Sequence, residues 1–377
     1  MSVPLQQSGG MRRVHGALVR RLRRARRRVV ICSVLGAVLM GGCADQSVTM
    51  PPAENAQQLS RRASGFSATD LGTLGGARST AFAINAIAQV VGESETASGA
   101  VHAFLWQSGQ GMQDLGTLGG AMSSATGING RGEVVGYSLT ASGQQHAFLW
   151  RRAQGMQDLG TLGGETSAAN GINDRSQIVG YASTGSALVH AFLWQSGAGM
   201  QDLGTLGGLE SSASGINRAG AVVGTLTTDA GREHAFLWQR GRGMQDLGPQ
   251  DGGSSGAAGI NTRGEVVGLL TSISITLGHE HAFLWRRGQG MQDLGDLGGG
   301  FSSARGINIT GQVVGISRTN LGDGHIERAF LWHSGQGMKD LGTLGGENSD
   351  ATAINDEGHV VGESQTTSGD FHATLWQ

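Results

Sequence analysis

A short pattern of small, β-branched and aromatic residues recurs seven times between residues 65 and 377. In the second copy, small residues occupy 123–129, a β-branched run occupies 133–138, and His-Ala-Phe-Leu-Trp occupies 146–150. The segment Met-Gln-Asp-Leu-Gly-Thr-Leu follows at 156–162. None of these segments has a helical period, and each has the length and residue types of a strand. The pattern therefore predicts four short strands per copy, and we call each copy a repeat.

The repeats share markers in a fixed order. Asp-Leu-Gly begins at Asp70, Asp114, Asp158, Asp202, Asp246, Asp293 and Asp340, so the period is 44 or 47 residues. Each repeat also contains Ile-Asn, Val-Val-Gly or Ile-Val-Gly, and one of the seven tryptophans. Four strands in this period are typical of a β-propeller blade. We predict an all-β fold, a seven-bladed β-propeller of four-stranded antiparallel blades; an open solenoid is the alternative.

The two ends of the repeated region favour a ring. Residues 65–74 match the fourth strand of a repeat, whereas the last repeat ends after its third strand at Trp376-Gln377. We expect the N-terminal strand to complete the last blade, because an open stack would leave unpaired edges. The first strand of each repeat would then lie innermost. Phe and Trp alternate with the smaller Ala and Leu in the third strand, which predicts interdigitation between neighbouring blades.

The recurring His-Ala-Phe-Leu-Trp and Asp-Leu-Gly-Thr-Leu-Gly-Gly motifs resemble the HAF-repeat family of bacterial extracellular proteins. The resemblance covers residues 65–377. It implies export and implies no established activity.

Only the loop between the second and third strands varies in length, and it is three residues longer in repeats 5 and 6. Binding residues favour loops that the fold does not constrain. One interpretation is a small ligand or metal site at the rim of blades five and six, with no metal ligands assigned. Tolerated surface insertion is the alternative. The candidate ligand-binding residues are His279, Glu280, Asn320, Asp323, His325 and Glu327.

Residues that recur in every repeat suggest structure rather than chemistry. The Asp of Asp-Leu-Gly is expected to accept backbone N–H bonds in a turn. The histidines of the third strands are expected to be hydrogen-bonded, because equivalent positions in packed sheets lie about 10 Å apart, too far for one metal ion. Arg328 replaces the seventh histidine.

The charge divides the chain into unlike segments. Residues 1–42 contain nine arginines and no acid, while the remainder carries 18 basic and 29 acidic residues, a net charge of −11. Arginines followed by an apolar run of this length predict a signal peptide. Leu39-Met40-Gly41-Gly42 before Cys43 resembles the lipobox of bacterial lipoproteins, which implies that Cys43 is the lipid attachment site. An ordinary secretory signal is the alternative.

These segments define three domains. We predict a lipoprotein-type signal peptide over 1–42, a flexible tether over 43–64 and the propeller over 65–377. Ala44, rather than an aspartate, follows Cys43, which implies an outer-membrane or cell-surface location; secretion is the alternative.

The sequence contains no motif for nucleophilic or metal-assisted hydrolysis and a single lysine, Lys339. Asp251, Arg305 and Asp350 break the repeat pattern near the innermost strands, but form no recognisable pair at this level. Glycine, 67 of 377 residues, falls at turns and close strand contacts rather than in phosphate-binding loops. We assign no catalytic residue and no cofactor. The acidic mature region argues against nucleic acid as a partner.

We expect a monomeric, non-catalytic binding or scaffold protein that presents a loop-rich face to a protein or glycan and touches the membrane through its lipid anchor only. A multivalent lectin-like protein is the first alternative, and it requires exposed tryptophan edges or clefts between blades. A propeller hydrolase or lyase with an axial site is the second.

Overall fold

The computed structural model describes residues 65–249, 252–271, 280–320 and 326–377. In these residues every regular element is a strand. No helix long and apolar enough to cross a membrane is found among them. The predicted signal peptide, the tether and Cys43 lie outside the described residues, as do Asp251, His279, Asp323 and His325.

Each repeat contributes strands in a fixed order. The first strands are β2 (Gly75–Ile84), β6 (Gly119–Ile128), β10 (Gly163–Ile172), β14 (Glu210–Ile216), β18 (Ser254–Ile260), β22 (Gly298–Ile307) and β26 (Gly345–Ile354). The second strands are β3 (Val90–Thr96), β7 (Val134–Thr140), β11 (Ile178–Thr184), β15 (Val222–Thr227), β19 (Val266–Thr271), β23 (Val313–Thr319) and β27 (Val360–Thr366). The third strands are β4 (Val101–Gln107), β8 (Gln145–Arg151), β12 (Val189–Gln195), β16 (Glu233–Gln239), β20 (Glu280–Arg286), β24 (Glu327–His333) and β28 (Phe371–Trp376). The fourth strands are β5 (Gly111–Asp114), β9 (Gly155–Asp158), β13 (Gly199–Asp202), β17 (Gly243–Asp246), β21 (Gly290–Asp293), β25 (Gly337–Asp340) and, from the start of the repeated region, β1 (Ala68–Asp70).

The strands of a repeat pair antiparallel in chain order, which confirms the predicted four-stranded unit. Three sheets have four strands, and two have eight. Each eight-stranded sheet consists of two four-stranded units that touch through one parallel pair, Val101 with Met122 or Glu280 with Phe301. In the last unit β1 pairs with β28 and so forms the outer strand beside β28, β27 and β26.

The strand limits differ from the prediction in repeat 2. The first strand begins at Gly119, before the small residues, because Gly119 already pairs with Thr140. The fourth strand ends at Asp158 rather than at residue 162. Its carboxylate accepts the N–H of Gly160, which has a φ of +74°, so the chain turns there.

Hydrophobic packing joins each repeat to the next. Phe192 and Trp194 of repeat 3 pack against Ala147 and Leu149 of repeat 2, as the alternation of large and small residues predicted. A cluster of the same kind joins Phe104 of repeat 1 to residues of repeat 7. Burying a side chain of this size contributes roughly 1.5–3 kcal/mol, so the interfaces between sheets form the core.

Close packing within each sheet explains the glycine of Val-Val-Gly. A Cβ atom at Gly136 would overlap the carbonyl oxygen of Ser124 on the neighbouring strand. The first strand bulges at this point, between Ala125 and Gly127, and the glycine lets the two backbones approach.

The Ile-Asn asparagines join the turns of neighbouring repeats. Asn129 accepts the N–H groups of Arg131 and Glu133 through Oδ1, and its Nδ2 donates to the carbonyl of Asn173, 3.2 Å away. All seven asparagines donate in this way; the chain of bonds runs 85→129→173→217→261→308→355→85.

The two ends of the sheets carry different loops, and we call them the turn face and the link face. The turn face holds the Asn-x-x-Gly turns and the turns between third and fourth strands, which are residues 129–133 and 151–155 in repeat 2. The link face holds the loops between second and third strands and the connections between repeats, which are residues 140–145 and 158–163 in repeat 2.

Candidate functional site

Three of the six predicted ligand-binding residues are described, and all three lie at the link face around β22. Glu280 begins β20, and its Cα pairs with that of Phe301 in the next repeat. Glu327 begins β24, and Asn320, which is exposed, follows β23. The structure therefore places Glu280, Asn320 and Glu327 at one end of adjacent repeats.

Phe301 and Arg318 complete this group, although the sequence analysis did not select them. The guanidinium carbon of Arg318 lies 4.8 Å from the centre of the Phe301 ring, and its Nε lies 3.3 Å from Oε1 of Glu327. The backbone N–H of Glu327 donates to Oδ1 of Asn348 in repeat 7, 3.0 Å away. We call Phe301, Arg318, Asn320 and Glu327 the rim cluster. Its guanidinium, carboxylate and amide groups can bind hydroxyl or carboxylate groups, while the stacked ring holds the guanidinium in place.

Arg305 and Asp350, which seemed unpaired in the sequence, form an ion pair. Arg305 Nη2 lies 2.6 Å from Asp350 Oδ2, across the first strands of repeats 6 and 7. The prediction of no pair was wrong because the two residues are distant in sequence and meet only through contact between repeats. The Asp350 side chain is 17% exposed. Burial raises the pKa of Asp350 to about 6; Arg305 opposes this shift, and the charges of Glu363 and Glu327 add to it.

Further carboxylates gather where repeats 7 and 1 meet. Thr80 Oγ1 donates to Oε2 of Glu363, 2.7 Å away. Burial raises the pKa of Glu93, and the charge of Glu363 adds to this shift. In the described part of the chain, no group of three or more His, Cys, Asp and Glu side chains is arranged to hold a metal ion. The Glu363 carboxylate is therefore engaged by the Thr80 hydroxyl of the neighbouring repeat.

The recurring aspartates and histidines act as expected from the sequence. In every repeat the Asp of Asp-Leu-Gly accepts the N–H of the residue two positions later, at 2.6–2.8 Å. In six repeats its other oxygen is hydrogen-bonded to Nδ1 of a third-strand histidine, at 2.7–2.8 Å. Arg328, which replaces the seventh histidine, lies 4.0 Å from Asp340. These contacts tie the third strand to the connection that follows the fourth.

The turn face carries most of the basic residues of the described chain. Ten of the sixteen Lys and Arg residues in 65–377 lie there, all in repeats 2 to 5: Arg131, Arg151, Arg152, Arg175, Arg218, Arg240, Arg242, Arg263, Arg286 and Arg287. Eight are exposed, and the exceptions are Arg151 and Arg286. These two pair with Glu133 and Glu265 at 2.7 and 2.6 Å.

Glu133 and Glu265 are held in these ion pairs with Arg151 and Arg286. Burial alone would raise the pKa of Glu133, but hydrogen bonds from Ser176, Arg151 and Asn129 outweigh it and hold the pKa below its usual value. The pKa of Glu265 is lowered in the same way, by Arg286 and Asn261 against burial. Neither carboxylate is left to neutralise the exposed arginines.

Grooves separate neighbouring repeats on the turn face. A groove of about 730 Å³ between repeats 4 and 5 is lined by Arg240, Arg242, Arg263 and Arg287. A groove of about 340 Å³ between repeats 3 and 4 also includes Arg240, so the two adjoin. Trp238 and Trp285 line these grooves but are only 8% and 9% exposed. The grooves thus offer guanidinium groups rather than indole faces.

No family model matches the chain, and no curated protein matches it. Among solved structures, the chain is similar to the β-propeller domain of the Trilobed protease from Pyrococcus furiosus. The identity is 9%, over 80% of this chain and 96% of that one, with a TM-score of 0.54. This likeness shows the fold alone. The fold is a β-propeller.

Two further similar structures have lower TM-scores and carry no argument about this chain. TolB from Acinetobacter baumannii is 11% identical over 86% of this chain and 68% of its own, with a TM-score of 0.47. The BP39L lectin from Burkholderia pseudomallei is 10% identical over 83% of this chain and 95% of its own, with a TM-score of 0.43.

Proposed function

We propose that this chain is a non-catalytic binding protein that presents the link face of repeats 5 to 7 to a protein or glycan. The rim cluster is the observation that carries the proposal. It combines an aromatic-stacked guanidinium, a carboxylate and an exposed amide at the point where the two longest loops leave the sheets. Interaction sites favour such loops on a rigid scaffold.

The proposal includes a closed ring of seven blades. Three contacts between the first and last repeats support closure: the pairing of β1 with β28, the bond from Asn355 to the carbonyl of Asn85, and the cluster that joins Phe104 to Leu375. A closed ring leaves no unpaired sheet edge between the first and last repeats.

The proposed location is the bacterial cell envelope. The arginine-rich start, the apolar run and Cys43 support an exported lipoprotein at the outer membrane or cell surface, with secretion as the alternative. The HAF-repeat resemblance supports export as well. The tether over 43–64 would hold a monomeric propeller away from the membrane.

The alternatives receive different support. Multivalent sugar binding through each tryptophan is disfavoured, because six of the seven indoles are less than 10% exposed. A propeller hydrolase or lyase stays as the second candidate, because the Arg305–Asp350 pair breaks the repeat symmetry on the first strands. Binding is preferred, since Arg305 Nη2 engages one oxygen of the Asp350 carboxylate at 2.6 Å.

The test uses the full chain in two arms. The first is a glycan array. The second is cellular photo-crosslinking from a benzophenone amino acid at Asn320, which is exposed. We expect saturable binding in one arm, and loss of that binding in Arg318→Gln/Glu327→Gln.

Glu233→Gln is the matched control, because Glu233 begins the third strand of repeat 4 as Glu327 does in repeat 6. The control should bind as the wild type does. Binding that survives Arg318→Gln/Glu327→Gln, or no binding in either arm, would refute the assignment.

A further inference from the structure

The turn face of repeats 2 to 5 has a strong positive charge in a domain that is acidic overall. The turns of these repeats contain ten arginines and three acidic residues, Glu133, Asp174 and Glu265. Glu133 and Glu265 are neutralised by Arg151 and Arg286. The turns of repeats 6, 7 and 1 contain no arginine. The charge is therefore concentrated on one part of one face.

Several of these guanidinium groups are free to bind a ligand. Arg152, Arg175, Arg218, Arg240 and Arg242 are exposed and make no side-chain hydrogen bond or ion pair with any described residue. By contrast, Arg287 donates to Oε1 of Gln239 in the preceding repeat, so it is held across the larger groove. An unpaired, exposed guanidinium keeps its five donors for a ligand.

The opposite end of the sheets has the opposite charge. The seven aspartates of Asp-Leu-Gly lie at the link face, and their side chains are 36–42% exposed. An anionic ligand is therefore attracted to the turn face and repelled from the link face. This separation of charge distinguishes the turn face from the rim cluster of the proposed function.

We propose that the turn face of repeats 2 to 5 binds an anionic polysaccharide, with its carboxylate or other acidic groups on the arginines of the adjoining grooves. Guanidinium groups bind carboxylates and phosphates through paired hydrogen bonds. Gln239 and Gln289 line the larger groove beside the arginines and provide amide groups for sugar hydroxyls. Arg240 lines both grooves, so a flexible polymer can contact successive repeats.

Nucleic acid fits this surface less well. Single strands are held by stacking of bases on exposed aromatic rings, and no aromatic side chain among the described residues is exposed. Major-groove recognition requires a protruding helix or two-stranded ribbon, and the turn face is made of tight turns. A polymer of acidic sugars needs neither feature.

The test measures binding of the full chain to sodium alginate, a polymer of uronic acids. We expect saturable binding at about 20 mM sodium chloride that weakens markedly at about 150 mM, because exposed charges are screened. Arg240→Gln/Arg242→Gln/Arg287→Gln should bind at least about tenfold more weakly. Because all three side chains are exposed, the fold should be retained, which circular dichroism checks.

The matched control is Arg78→Gln/Arg232→Gln/Lys339→Gln, which removes three exposed charges outside the turn face of repeats 2 to 5. It should bind alginate within about twofold of the wild type if position rather than net charge decides. Arg242→Glu is a second variant for the case in which the triple variant is unstable, and it should also lose binding.

Other outcomes would overturn the proposal. Equal loss in the two triple variants would show a non-specific charge effect. Equal binding of neutral dextran would show that acidic groups are not recognised, and displacement of alginate by a lower concentration of duplex DNA would assign the face to nucleic acid. Arg318→Gln/Glu327→Gln should leave alginate binding unchanged, so failure here and failure of the link-face proposal are distinguishable.

Discussion

The turn residue three positions after each Ile-Asn asparagine adopts a left-handed conformation. Glycine fills this position in five repeats, and Gly132 has a φ of +74°. Ala88 and Ser176 occupy it in repeats 1 and 3, each with a φ of 56°. The Asn-x-x-Gly pattern predicted the turn, and the structure shows that the two exceptions keep its geometry rather than change it.

Gly132→Ala should lower the free energy of unfolding by roughly 1–2 kcal/mol, because an L-residue is strained at positive φ. Urea denaturation measures the effect. The reverse substitution, Ala88→Gly, relieves that strain. The free energy of unfolding should therefore fall by no more than the contribution of one partly packed methyl group. An unchanged midpoint for Gly132→Ala would contradict the assigned turn geometry.

Asp350 should make stability fall as the pH rises. Its pKa is about 6 in the folded chain and near 3.9 in an unfolded one, so folding favours the protonated acid. This contribution is fully present below about pH 4 and is lost as the pH passes through about 6, by roughly 3 kcal/mol in total.

Asp350→Asn should therefore flatten the pH dependence of unfolding between pH 4 and 7, measured by urea titration against the wild type. Glu357→Gln is the control, because it alters an exposed acid of the same repeat. If Asp350→Asn and wild type show parallel pH profiles, the proposed burial of a charged Asp350 is wrong.

At the scale of elements, the Ile-Asn asparagines hold the repeats together. Asn217 is 6% exposed; its Oδ1 accepts the N–H groups of Ala219 and Ala221, and its Nδ2 donates to the carbonyl of Asn261. Removing the side chain leaves buried backbone groups without partners, and each such group costs about 1–3 kcal/mol.

Asn217→Ala should destabilise the protein by at least about 2 kcal/mol, read from its thermal or urea midpoint. Arg218→Ala changes the adjacent exposed residue of the same turn and should leave stability within about 0.5 kcal/mol of the wild type. Equal effects of the two substitutions would show that the bond between repeats contributes nothing.

The strands were predictable from the sequence, while the contacts between repeats were only partly so. Runs such as Val134-Val135 and the third-strand aromatic residues placed the strands within a few residues. Arg305 and Asp350 meet because the adjacent first strands β22 and β26 pack side by side, which no local pattern encodes. The contact of Arg318 with Phe301 lies within repeat 6, across the hairpin of β22 and β23, and the repeat pattern does not show which side chains meet there.

At the scale of the whole molecule, the charge pattern was present in the sequence but needed the structure to be recognised. Each turn-face arginine follows an Ile-Asn or a tryptophan marker, yet the net charge of −11 after residue 42 concealed them. Only the placement of both kinds of turn at one end of the sheets gathers these residues into one surface.

The central claim is that the seven repeats close into one ring through the N-terminal strand. Ser67 and Gln377 exchange both backbone hydrogen bonds, at 2.9 and 3.2 Å, and both are exposed. Cα atoms of such a pair lie about 5.5 Å apart, within the range that a disulfide spans. A Ser67→Cys/Gln377→Cys variant in a Cys32→Ala/Cys43→Ala background should therefore oxidise to a disulfide.

The decisive measurement is the count of free thiols after mild oxidation and denaturation, with Ser67→Cys/Ser142→Cys in the same background as the control. A closed ring predicts no free thiol in the Ser67→Cys/Gln377→Cys variant and two in the control, because Ser142 lies in a loop of repeat 2. Two free thiols in both variants would contradict ring closure.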